Sequence, residues 1–339
     1  MFLLRFIVDF IVRSRNSTRV KWVVSSRDWP YIEEELNRTT HKVILCLEQN
    51  KPCISEAVGF YIRYKVNELA KLKQYNPTVR EAIHNHLVSN AEDTFLWVAL
   101  VCQALGDSKA KTWKIRQMLL ERFPPGLDSL YDRMIDQAIE SEEPKEVLAT
   151  MSIAYRPLSL TELPYLVKSL GEVAGDFESL EDIIKSCGSF LTLQEGVVFF
   201  VHQSAKDYLL QKAADRIFNP HIEDEHRNIC STSLHILSKT LQENIYSLDN
   251  WGIPPEKVKP PNPDPLAAVR YSCVYWVDHL TECRPEGQAQ CGYLQDNGIV
   301  HKFLEKHYHH WLEALSILQS VPNGIMAMLK LYELLQVST

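Results

Sequence analysis

Lys21-Trp22-Val23-Val24-Ser25-Ser26-Arg27 reads as a short buried strand that ends in a polar Ser-Ser-Arg tip. A second run, His41-Lys42-Val43-Ile44-Leu45-Cys46-Leu47, has the same texture. Both are near-continuous apolar runs rather than alternating ones, the pattern of parallel strands covered on both faces. In open α/β sheets, ligands sit beyond the carboxyl ends of the strands. Arg27 at such an end is placed to meet a phosphate, because its planar fork bonds anions bidentately. The plain alternative is a surface arginine paired with Glu33 or Glu34. Two strands cannot bury such faces alone, so the pattern implies partner strands upstream.

The segment before this strand, Met1 to Val12, is apolar, but Arg5 and Asp9 interrupt it. It falls short of the ~20 residues a membrane span needs and lacks a secretory cleavage site. Leu3, Phe6, Ile7 and Phe10 lie at helical spacing, which predicts a buried crossover helix over 2–14. A short helix is expected near 30–37.

From Ile54 onward the texture is helical, with helices expected over 54–73, 78–89, 93–105, 112–122, 127–140 and 144–154, punctuated by prolines. The helix over 93–105 is apolar nearly all round and belongs in a domain interior. Residues 156–213 form a compact unit. Ser159-Leu160-Thr161-Glu162 is a capping box that opens a helix. A second helix near 179–187 stops at Gly188, and 190–201 reads as a hairpin around Glu195-Gly196. Ser204-Ala205-Lys206-Asp207 caps a third helix. Helix, helix, hairpin, helix is a winged-helix pattern. After residue 222 come a periodic stretch over 223–247, a proline-rich connector over 254–265, and helices near 266–282, 299–307, 309–320 and 322–337.

Four segments together resemble the fungal NACHT-type members of the STAND class of signalling NTPases. They are Val20 to Arg27, Phe123-Pro124-Pro125-Gly126-Leu127-Asp128-Ser129-Leu130-Tyr131-Asp132-Arg133-Met134, Arg156-Pro157-Leu158-Ser159-Leu160-Thr161-Glu162-Leu163, and Phe199-Phe200-Val201-His202-Gln203-Ser204-Ala205-Lys206-Asp207-Tyr208-Leu209. Tyr275-Trp276-Val277-Asp278-His279-Leu280 and His310-Trp311-Leu312-Glu313-Ala314-Leu315 resemble the helical stalk that precedes WD40 or other repeats in that family. The resemblance implies a fold that is mainly α with an N-terminal α/β remnant. Residues 1–53 would be the C-terminal part of the nucleotide domain, 54–155 a helical domain, 156–221 a winged-helix-like domain, and 222–339 the stalk.

The function implied is a switch in non-self recognition of the heterokaryon incompatibility type: cytoplasmic, resting with ADP bound and opened by nucleotide exchange to ATP or GTP. By position, Arg27 matches the sensor arginine for the terminal phosphate, and His202 matches the winged-helix histidine that touches the diphosphate. The plain alternative for His202 is a strand-end histidine that caps the next helix. Protein partners are expected, either further copies of the chain or other NACHT proteins.

The chain departs from the family in one respect that decides its chemistry. No Gly is followed by Lys, so the phosphate loop is absent. Phe6-Ile7-Val8-Asp9 suits a helix better than a magnesium-binding strand, and no catalytic residue or metal ligand is assigned. Hydrolysis by this polypeptide alone is not expected; the protein reads as an interaction module. Two alternatives stand beside it, a fragment of a complete NTPase with its phosphate loop upstream, and a nucleotide-independent helical adaptor.

Charge and cysteines narrow the field further. The net charge of −7 argues against a general nucleic-acid binder. Residues 156–213 carry five basic against eight acidic residues, the wrong sign for DNA phosphates. The eight cysteines include no C-x-x-C pair and read as reduced core thiols. Cys273, His279, Cys283, Cys291 and His301 lack the short chelating spacing of a zinc site.

Overall fold

The computed structural model describes residues 2–14, 21–24, 30–36, 51–107, 114–249, 252–283 and 291–337. The chain divides into two units, Met1–Val58 and Gly59–Thr339.

In the first unit, helix α1 (Phe2–Arg13) packs near α2 (Pro30–Leu36), with an ion pair from Arg5 Nε to Glu35 Oε1 at 3.2 Å. The strand expected at 21–26 is not formed in its described part. Residues 21–24 are irregular, and Val23 is 96% exposed. Trp22 instead folds back on α1, its ring 5.8 Å from Phe10 and its indole N–H donating to Ser14 Oγ at 2.7 Å. A strand requires a ladder partner, and none lies among the described residues of this unit. For the same reason α1 is not the buried crossover helix its pattern predicts: Val8 is buried, but Phe6 and Phe10 are exposed. The second expected strand, 41–47, lies outside the described residues.

Helix α3 (Lys51–Lys73) leads into α4 (Pro77–Asn90), α5 (Phe95–Asp107), α6 (Ile115–Arg122), α7 (Leu127–Ala138) and α8 (Glu142–Ile153). Asn76 caps α4 through Oδ1 to the Val79 N–H at 2.9 Å, with Pro77 in the first turn where no donor is needed. The all-apolar α5 is an interior helix, with Trp97, Val98, Leu100, Val101 and Leu105 buried. Its Trp97 indole donates to the Pro124 carbonyl at 3.0 Å, and the His86 ring nitrogen meets the Phe123 carbonyl at 3.0 Å. These contacts give the Phe123-Pro124-Pro125-Gly126 segment its role: its carbonyls dock the start of α7 onto α4 and α5. Gly126 takes φ +77, and a Cβ there would lie 2.7 Å from Glu92 Oε2.

A three-stranded antiparallel sheet follows in the order β1 (Leu158–Ser159), β3 (Val197–Phe200), β2 (Leu191–Gln194). The β2–β3 turn puts Glu195 at φ 50 and Gly196 at φ 77, the two positive values of a type I′ hairpin. Helices α9 (Phe177–Ser186), α10 (Gln203–Gln211) and α11 (Ala214–Ile217) flank it. The helix expected from the capping box is absent. Glu162 does accept from the Ser159 N–H at 2.9 Å, but 3-10 turns at Leu163–Tyr165 and Lys168–Val173 follow. Ser159 is held in β1 opposite Val197 and Glu162 is drawn to Arg156, so the segment closes as short turns.

The rest is helical: α12 (Ile222–Thr240), α13 (Arg270–Glu282), α14 (Cys291–Leu294), α15 (Ile299–Ile317) and α16 (Val321–Val337). They share a core built on Leu234, Leu237, Trp276, Phe303, Trp311 and Leu315. The periodic stretch over 223–247 breaks at Leu241. Asn244 turns the chain by bonding the Leu248 N–H at 2.7 Å, and Glu313 accepts from the Asn244 and Ile245 N–H groups at 3.1 and 3.0 Å. The two helices expected at 299–307 and 309–320 are one, since no Gly or Pro separates them.

Candidate functional site

Of the two residues singled out for a phosphate, Arg27 and its alternative pairing with Glu33 or Glu34 lie outside the described residues. His202 is described. It is exposed, at the end of β3, and is the N-cap of α10. The expected capping by Ser204 is thereby replaced: His202 Nδ1 accepts from the Ser204 N–H at 3.1 Å and lies 2.7 Å from Ser204 Oγ. An imidazole has one proton in its neutral form, so an accepting Nδ1 leaves that proton on Nε2. Nε2–H has no protein partner among the described residues and is a donor aimed outward.

The support beneath His202 is layered. Ser204 Oγ meets Tyr131 Oη at 3.0 Å, and the Tyr131 ring stacks on Phe190 at 5.5 Å. Tyr208 of α10 bonds Asp132 of α7, and Lys212 reaches Asp128 at 2.5 Å. Burial, with Asp132 beside it, pushes the Tyr208 hydroxyl well above its usual range, so it remains a donor. Helices α7 and α10 therefore hold the histidine in a fixed rotational setting.

Asp9, the residue considered for magnesium, is an exposed position on α1. No group of three His, Cys, Asp or Glu suited to a metal occurs among the described residues. Cys102, Cys187, Cys230, Cys273 and Cys283 are buried thiols, and Cys53 is exposed. Burial raises the Cys187 and Cys273 thiols to about 12, which removes them as nucleophiles.

A buried polar cluster joins residues that no single motif connects. Arg156 grips Glu162 with both nitrogens, at 2.6 and 2.9 Å, and lies over the Tyr271 ring at 5.2 Å. Glu162 also accepts from the Tyr271 N–H at 3.0 Å. Burial raises the Glu162 carboxyl, but the Arg156 ion pair and the Ser159 donors outweigh it and leave it below its ordinary value. The Tyr155 N–H donates to Tyr271 Oη at 3.2 Å, and the Tyr271 hydroxyl lies 2.7 Å from His279 Nε2. His279 Nδ1 in turn meets His226 Nδ1 at 2.8 Å, where one ring donates and the other accepts. This chain of donors fixes α12 and α13 to the strand-and-turn segment around 155–162. His279 stood within a quoted motif, but nothing local pairs it with His226.

No family model matches the chain, and no solved structure matches it. The chain is similar to the vegetative incompatibility protein HET-E-1 of Podospora anserina, 44% identical over 346 residues. That match covers 97% of this chain and 25% of the relative, so the chain spans about a quarter of that protein's length.

Proposed function

We propose that the chain is the helical body of a NACHT-type switch of the STAND class, acting in fungal non-self recognition by interaction rather than by its own nucleotide hydrolysis. The observation that carries this reading is the 44% identity sustained along 97% of the chain with a vegetative incompatibility protein. In this reading, 1–53 belongs to the nucleotide domain, 54–155 is the helical domain, 156–221 is winged-helix-like, and 222–339 is a stalk. The hairpin flanked by α9 and α10, and the separate core of α12–α16, support that division. His202 supports a latch: its outward Nε2–H is the donor an ADP β-phosphate requires, with Arg27 as sensor of the terminal phosphate.

A second reading is favoured by the quarter share of the relative: the chain is one region of a longer NTPase, and the phosphate loop lies elsewhere in the polypeptide. The test of both is ADP titration of the native full-length product from its source cells, beside Arg27→Ala and His202→Asn variants. Asn can still cap α10 but lacks the imidazole donor. Loss of ADP affinity by about tenfold or more in each variant is the expected result. ADP binding unchanged by both variants overturns the Arg27 and His202 assignments, and no ADP binding at all leaves only a nucleotide-independent adaptor. Light scattering on the same samples tests the partner model, which a concentration-independent monomer would overturn.

A further inference from the structure

Between α12 and α15 lies a cleft of about 390 Å³, within the size range of small-molecule sites. Its apolar lining is Leu234, Ile299 and Phe303; Leu234 and Phe303 belong to the core, and Ile299 is half-buried. Its polar rim is His235 and Ser238 from α12 with Lys302 and Lys306 from α15. No Asp or Glu lines it. The two lysines stand four residues apart on one face of α15, a like-charge spacing that costs a helix a few tenths of a kcal/mol when nothing neutralises it. Among the described residues neither lysine has an ion-pair partner, whereas Lys65, Lys185, Lys212 and Lys330 elsewhere each hold a carboxylate.

We propose that this cleft binds a small organic phosphate, with the phosphoryl group between Lys302 and Lys306 and the apolar part of the molecule beside Ile299. The geometry separates this site from His202, so it stands whether or not the nucleotide-latch reading holds. Two ammonium groups on adjacent turns can straddle one tetrahedral anion, with His235 and Ser238 across the cleft as hydrogen-bonding groups. The half-buried Ile299 beside the lysines offers an apolar contact that a bare anion would not use, so the ligand carries a ring or short chain.

The experiment is isothermal titration of the whole chain with phenyl phosphate, inorganic phosphate and phenol, in the wild type and in Lys302→Gln/Lys306→Gln. Saturable binding of phenyl phosphate, at least tenfold tighter than either fragment and weakened at least tenfold in the double variant, is expected. Far-ultraviolet circular dichroism of the variant should match the wild type, since both side chains are exposed. Sedimentation with phosphatidylcholine vesicles containing phosphatidic acid separates a lipid headgroup from a soluble ester as the source. Variant-sensitive binding to either supports the site. No saturable binding in any arm, or binding that the double variant leaves unchanged, overturns it.

Discussion

His226 and His279 face each other through their Nδ1 atoms at 2.8 Å, 53 residues apart in sequence and shielded from solvent. Such a contact is attractive only when one ring donates and the other accepts, so the two rings cannot both be charged.

Acid sensitivity follows from that requirement. Burial, with His226 beside it, pushes His279 down to about 3, and burial lowers His226 as well. A histidine with a depressed folded value stabilises the fold fully above its unfolded value of about 6.5, and that contribution is lost as pH falls toward the folded value. Stability should therefore fall between pH 6.5 and 5, by up to about 1.4 kcal/mol per pH unit for each group. The Glu162 contribution fades only below its ordinary carboxylate range, so it does not confuse this window. Urea midpoints across pH 5–7 test this; a slope unaltered in His226→Gln/His279→Gln would count against it.

Removal of Glu162 should be among the most damaging single changes. Glu162→Ala strands Arg156 and leaves the Ser159 and Tyr271 N–H groups without their acceptor. The expected loss is about 3 kcal/mol, well above that of Lys185→Ala at an exposed ion pair. Chemical denaturation of both variants tests the ordering, and near-equal losses would refute it.

Two buried tryptophans should answer differently to Phe. Trp311 donates its indole N–H to the Cys273 carbonyl at 2.8 Å, whereas the Trp276 N–H is buried with no partner among the described residues. Trp311→Phe removes a hydrogen bond, and Trp276→Phe removes an unmet donor. Trp311→Phe should cost more by about 1 kcal/mol. A reversed order in denaturation midpoints would mean that shape rather than hydrogen bonding governs this core.

The hairpin turn carries a stabilising substitution. Glu195 holds φ 50 although its side chain gains nothing from the left-handed region. Glu195→Asn supplies the residue pair favoured in type I′ turns and should stabilise the protein by about 0.5 kcal/mol. Gly196→Ala should destabilise by about 1 kcal/mol despite open space around its Cβ, because the strain is in the backbone. Melting temperatures that move in the opposite directions would exclude a type I′ turn.

Much of the helical architecture was legible in the sequence, because it depends on neighbours three or four residues away. The interior helix α5, the Asn76-Pro77 start of α4 and the Glu195-Gly196 turn are each written in local chemistry. The apolar run at 21–24 was misread for the opposite reason: a strand is completed by partners elsewhere, and these four residues have none among the described residues. His202 stands out in the sequence as a candidate, yet its capping contact depends on Ser204 and Tyr131, the latter 73 residues from Ser204.

By itself, then, the sequence determined where the chain is helical, where it turns, and that it lacks a phosphate loop. Only the tertiary structure decided that Glu162 accepts from Tyr271 across 109 residues, that His226 and His279 share a proton, and that Lys302 and Lys306 rim a cleft. Periodicity says which face of a helix is apolar; it does not say which other face meets it. Those meetings are set by packing the whole core at once, and they place the charges.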